Sequence, residues 1–203
     1  MKFALIGRIA GVVALTMGLA ACVDMTEELT VTSDTTARAT MTMTMAADVY
    51  SMIKTADTED TKPEDKFCAK DGETLTENAD GTATCTSTTD GTFDTLLFDE
   101  GQNKPTFTSA GPGLVRVALA TKGLMGGLGK DDASDDTAQT QATMKQLFDG
   151  HFLTLRFGGA EVTDTNMTLS DDRTSAETKI PFTALIDGTA ALPEELYAVV
   201  KTN

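Results

Sequence analysis

The sequence predicts an α+β domain of six or seven mostly antiparallel strands with two covering helices and a disulfide-stapled hairpin insertion. Three observations lead there. Along most of the chain after residue 22, apolar residues alternate with threonine and charge at period two, the spacing of a half-buried strand. Two stretches instead place apolar residues at helical spacing. Finally, two cysteines bracket a polar loop that holds two Asp-Gly turn signals.

The chain of 203 residues opens with an export leader rather than with a domain element. Lys2 and Arg8 form a basic start, Ile9 to Gly18 an apolar run, and Leu19, Ala20 and Ala21 a small-residue cut site. The run is too short for a secure membrane span. "LAAC" resembles the bacterial lipobox, which implies diacylglyceryl attachment at Cys22, removal of residues 1–21, and a mature domain of residues 22–203. Several acyl methylenes at about 0.8 kcal/mol each hold such a protein on a bilayer. No later apolar run approaches the ~20 residues of a spanning helix, so the expectation is a single domain on a lipid tether. Val23 rather than Asp follows the cysteine, so in a cell with two membranes the expected site is the outer membrane, facing the periplasm.

The first hairpin lies in "EELTVTSDTTARATMTMTM". Leu29 and Val31 share one face, Ser33-Asp34 marks a turn, and Met41, Met43 and Met45 share a face opposite Thr40, Thr42 and Thr44. In "AADVYSMIKTA", Val49, Tyr50 and Ile53 have helical spacing and predict a short helix over the sheet. Residues 55–92 then turn polar and read as an insertion. Export leaves Cys68 and Cys85 as the two cysteines not lipidated, in an oxidising compartment, and so predicts a disulfide between them. Asp71-Gly72 and Asp80-Gly81 predict a hairpin inside the loop.

Pairing resumes in "PTFTSAGPGLVRVALA", with a turn at Gly111-Pro112-Gly113 and alternation through Val115, Val117 and Leu119. A glycine loop and an acidic run follow, then a helix from about Ser134 to Phe148 with Ser134 as N-cap. "HFLTLRF" sets Leu153, Leu155 and Phe157 on one face. "AEVTDTNMTLSDDRTSAETKIPF" reads as a hairpin turning at Ser170 to Thr174, with Ala176, Thr178, Ile180 and Phe182 along one side. A helical turn near Thr183 to Ile186 and a strand in "ELYAVVK" complete the chain.

This layout resembles the LppM-type domain of bacterial lipoproteins. The resemblance rests on the lipobox, on "DMTEELTVTSDTTARATMTMTMAAD" as strand, turn and strand into a helix, and on "GAEVTDTNMTLSDDRTSAETKIPF" late in the chain. It implies a sheet folded against helices around an apolar groove, lipid or glycolipid binding, and no catalytic residues. Relatives of this type can end in a spanning helix, whereas this chain stops at Asn203, so anchoring is expected through Cys22 alone.

The candidate ligand-binding residues are Met41, Met43, Met45, Tyr50 and Ile53, because methionine gives a polarisable, adaptable apolar lining. Three thioethers also suit Cu(I), but same-face residues on a strand lie about 6.6 Å apart, so the apolar reading is preferred. "GLMGGLGKD" has glycines and Lys130, yet its spacing is one residue too long for a phosphate loop and Asp131 stands where Ser or Thr is needed. Leu124, Met125 and Leu128 offer an exposed apolar tip as the sharper alternative to a plain mobile loop.

His151 is the sole histidine and is expected to be structural. Asp131, Asp132, Asp135 and Asp136 lack the ligand spacing of a calcium loop. With no CxxC and no second histidine, no metal site, cofactor or enzyme activity is expected. The 31 acidic against 16 basic residues give a net charge of −15, which excludes nucleic acid and repels anionic headgroups. Two function classes remain: a lipid-anchored envelope module binding a lipid or other apolar ligand, and a structural or assembly lipoprotein docking on an envelope protein.

Overall fold

The computed structural model describes residues 23–56, 66–96, 104–122, 124 and 137–202, with the side chains of 137–141 left aside. The leader, Cys22 and the predicted N-cap Ser134 lie outside these residues. Among the described residues, eleven strands form two sheets, and three helices accompany them.

Strands β1 (Val23–Val31) and β2 (Thr36–Met45) are the predicted first hairpin, antiparallel from Val23 opposite Met45 to Val31 opposite Ala37. Ser33 makes the turn: its hydroxyl accepts the N–H groups of Thr35 and Thr36 at 3.3 and 3.1 Å. Helix α1 (Ala47–Ala56) follows and buries Val49 and Tyr50. β3 (Glu73–Glu77) and β4 (Ala83–Thr92) are antiparallel around a turn where Asp80 accepts bonds from the Thr82 N–H and hydroxyl and Gly81 takes φ +86°.

The polar segment is more than an appendage. β4 pairs with β2 along the whole of Thr36 to Met45, which makes it part of the larger sheet. The insertion expected over 55–92 is corrected here: polar composition marks solvent on one face and does not tell whether the backbone is paired.

β5 (Thr106–Gly111) and β6 (Leu114–Ala120) form the second hairpin around Gly111-Pro112-Gly113 as predicted. Helix α2 (Thr137–Leu147) precedes β7 (Phe152–Gly158). β8 (Glu161–Thr165), β9 (Thr168–Leu169) and β10 (Ser175–Pro181) come next, then helix α3 (Phe182–Asp187) and β11 (Glu195–Lys201).

The larger sheet has the order β3-β4-β2-β1-β7-β10-β9, with β1 and β7 parallel, and the smaller has the order β5-β6-β11-β8. The predicted hairpin from Ala160 to Phe182 is corrected here. Its turn at 170–174 joins β9 to β10, but β8 pairs with β11 in the other sheet. Phe182, expected to extend the strand face, instead opens α3 and is buried. Pro181 supplies the break, since it has no N–H to continue the ladder and suits the entry to a helix.

The two sheets enclose the main core, which includes Leu29, Val31, Val117, Leu155, Phe157, Val162, Ile180, Leu196 and Val200. Leu124 packs against this core, which opposes, at that residue, the exposed tip offered as the alternative to a plain mobile loop; Met125 and Leu128 lie outside the described residues. α2 rests on α3 through Phe148 against Phe182, with ring centres 5.0 Å apart, and through Lys145 to Asp187 at 2.8 Å. The outer face of the larger sheet carries its polar residues: Thr40 meets Thr88, Thr44 meets Thr84, and Arg156 bonds Glu177 at 2.7 Å and Glu28 at 3.3 Å.

Candidate functional site, an open apolar row between two cores

Strand register alone assembles the candidate site. Following opposed residues across the larger sheet, one row on its inner face reads Leu75, Cys85, Met43, Met25, Leu153 and Ile180. Burial grades along it: Ile180 and Leu153 lie in the main core, Met25 and Met43 are half-buried, and Leu75 is 39% exposed. Beside Met43 on β2, Met41 is 40% exposed. The open part, from Met25 to Leu75, spans three inter-strand steps, about 14 Å. Glu27 and Ser87 lie beside Met41 in the neighbouring row, so the apolar strip has a polar margin.

A second, smaller core bounds the row on the side where β1 begins. Met45, Val49, Tyr50 and Ala83 are buried together, with Val23, Ile53 and Phe67 against them. Helix α1 is held there by polar bonds as well as packing. The Tyr50 hydroxyl donates to Glu77 Oε1 at 2.6 Å and Lys54 Nζ reaches the same oxygen at 2.8 Å. Those two donors hold the Glu77 carboxyl below its ordinary range, the Lys54 bond contributing most. The Tyr50 and Phe67 rings meet edge-on at 6.1 Å.

The Cys68–Cys85 disulfide is present, with Cα atoms 5.5 Å apart. It joins the segment before β3 to β4 near that strand's start and so secures Phe67, the neighbour of Cys68 in sequence, over the second core. Cys68 adopts φ +58°, a left-handed conformation uncommon outside glycine. Glu73 lies close by, its carboxylate within 4.8 Å of both sulfurs. With the sulfurs bonded to each other, that carboxylate is the one anionic ligand in the trio, and it accepts the Lys70 N–H at 3.1 Å.

The five predicted ligand-binding residues therefore divide. Met45, Tyr50 and Ile53 belong to the closed second core, while Met43 stands in the open row and Met41 beside it on the same strand face. The same division spreads the three sulfurs between buried and exposed settings, which opposes joint capture of one soft ion. His151 is mostly buried: its Nδ1 lies 3.4 Å from Asp24 Oδ1, and that oxygen accepts the Phe152 N–H at 3.0 Å.

No family model and no curated protein matches the chain. Among solved structures, it is similar to the NMR structure of the folded domain of LppM from Mycobacterium tuberculosis. The two are 13% identical, the match covers 90% of this chain and 91% of that one, and the TM-score is 0.47.

Three contributors escaped sequence reading: Met25, Leu75 and Phe67. Leu75 alternates with Thr74 and Thr76 in "ETLTE", so its face was readable once the hairpin turn was placed at Asp80-Gly81. Met25 takes its place through pairing with both β2 and β7, and its parallel partner lies well over a hundred residues away. A separate cleft of about 400 Å³, lined by residues including Asp34, Ser109, Pro112 and Val115, touches none of the five predicted residues.

Proposed function

We propose that this chain is a lipid-anchored lipoprotein of the cell envelope and a non-catalytic module that takes an acyl chain or other apolar envelope ligand along its methionine row. The observation that carries the reading is the row Met25, Met43, Cys85 and Leu75 between two closed cores, with Met41 beside it: Met41 and Leu75 are exposed and Met25 and Met43 half-buried. Exposed apolar side chains grouped on one sheet face mark interaction surfaces, and thioethers repack around an irregular guest at little cost. Cys22 supplies the anchor through its lipobox context. No helix among the described residues is long and apolar enough to cross a membrane, which agrees with a lipid tether. In a two-membrane cell the proposed site is the outer membrane, facing the periplasm.

A second reading, docking on an envelope protein, draws on the openness of the same face: Met41 and Leu75 are 40% and 39% exposed. Native mass spectrometry of the mature domain, purified without its anchor from envelope extracts, separates the two. A co-purifying lipid, lost in a Met41→Ser, Leu75→Ser variant, supports the ligand reading. A parent domain that stays lipid-free and binds no fluorescent acyl probe removes it. For the anchor, Cys22→Ser should abolish labelling by an acyl-chain analogue, and persistent labelling would end that part of the proposal.

A further inference from the structure

β1 begins at Val23, the residue immediately after Cys22, and Val23 already pairs with Met45 and packs on the second core. Consecutive Cα atoms lie 3.8 Å apart. Given the reading of Cys22 as the lipid-bearing residue, on which this inference rests, no flexible linker separates the acyl anchor from folded sheet.

A rigid mount of this kind fixes which edge of the domain meets the bilayer. β7 runs parallel to β1, with Leu153 opposite Met25, so both strands begin at the same edge. Phe152, the first residue of β7, is level with Asp24 and donates its N–H to the Asp24 carboxylate at 3.0 Å. Phe152 lies one strand spacing, about 4.8 Å, across from Asp24, which is two residues along the chain from Cys22. Phe152 is also 37% exposed, a large apolar ring left open where the anchor emerges, and its partner on β10 is the exposed Pro181.

We propose that the domain stands on the bilayer on this edge, with Phe152 seated in the lipid interface beside the anchor. Aromatic rings favour the headgroup level, and apolar faces of interfacial elements sit about 5–10 Å into the headgroup and acyl boundary. Asp24 stands at the same edge in a chain of net charge −15, so the surface that fits is zwitterionic rather than anionic.

The chain contains no tryptophan, so each introduced one is the sole indole reporter. The test uses the acylated protein in phosphatidylcholine vesicles whose acyl chains carry bromine as a quencher. Phe152→Trp should be quenched at least threefold more than Pro112→Trp, which sits in the β5–β6 turn beside Asp34, at the other end of the β1–β2 hairpin. Pro181→Trp gives a second reporter on the proposed edge should Phe152→Trp fold poorly. The same reporters in Cys22→Ser protein should show no quenching. Vesicle-bound, acylated protein with equal quenching at 152 and 112, or none at 152, overturns the mount and leaves the lipoprotein reading standing. Absence of acylation overturns both.

Discussion

Truncating Met45 and Met41 to alanine should give opposite results, although the two residues share one strand face and differ by four positions. Met45 is 6% exposed and enclosed by Val23, Val49, Tyr50 and Ala83. Replacing it by Ala removes three buried heavy atoms, worth about 2 kcal/mol in transfer terms. The cavity left behind adds to that, so about 2–3 kcal/mol is expected, the lower part of the range for such truncations. Met41, at 40% exposure, has no closed cavity to lose, and its truncation should stay within about 0.5 kcal/mol. With a urea slope of about 2 kcal/mol/M, the unfolding midpoint should fall by about 1–1.5 M for Met45→Ala and by no more than about 0.25 M for Met41→Ala. Met43→Ala, half-buried, should fall between them. Affinity for a fluorescent acyl probe should show the reverse order, weakened most at Met41 and Met43. Equal midpoint shifts for Met41→Ala and Met45→Ala would refute the division into open row and closed core. A probe affinity that follows stability alone would remove the ligand role.

Non-reducing peptide mapping should recover Cys68 and Cys85 as one linked pair, and breaking it should cost about 3 kcal/mol in the loop-entropy model; hydrogen exchange should then rise in residues 66–77 while β4, paired with β2 along ten residues, keeps its protection. Loss of protection throughout β2 and β4 would contradict that pairing. Arg156 holds Glu177 below its ordinary value of 4.5 chiefly by hydrogen bonding. The charged carboxylate is thus favoured on folding, and its contribution is complete above pH 4.5 and vanishes as pH falls through the lower folded value. Urea midpoints measured from pH 6 to pH 3 should therefore decline, with a shallower decline in Arg156→Met; identical slopes would count against the assignment. Gly159→Ala should destabilise by about 1–3 kcal/mol or more, because a Cβ there would stand 2.2 Å from Val200 Cγ1 and 3.2 Å from the carbonyl oxygens of Val31 and Lys201. Thermal unfolding of this variant at the wild-type midpoint would show the two sheets to be less closely joined than the structure has them.

That glycine also shows where sequence reading reached its end. Alternation is a local property: it told correctly that Leu29 and Val31 share a face, that Met41, Met43 and Met45 share another stretch of it, and that Leu153, Leu155 and Phe157 point together. It could not tell which strand lies alongside. The parallel pairing of β1 with β7 joins residues more than a hundred positions apart, and neither strand carries a turn that announces the other. The passage from β7 to β8 looks like one more bend between strands, yet Gly158 and Gly159 sit where the chain leaves the larger sheet for the smaller one. Gly159 has an ordinary backbone conformation there; its lack of a Cβ is required by Val200 and Val31, which come from distant parts of the sequence. The candidate site follows the same rule. Period two placed the methionines on the inner face, but which of them stay open was decided by what covers that face: α1 over Met45, the second sheet over Leu29 and Val31, and only partial cover at Met43 and Met41. A face is written in a strand's own residues, whereas an opening in it is made by the elements that stop short of covering it.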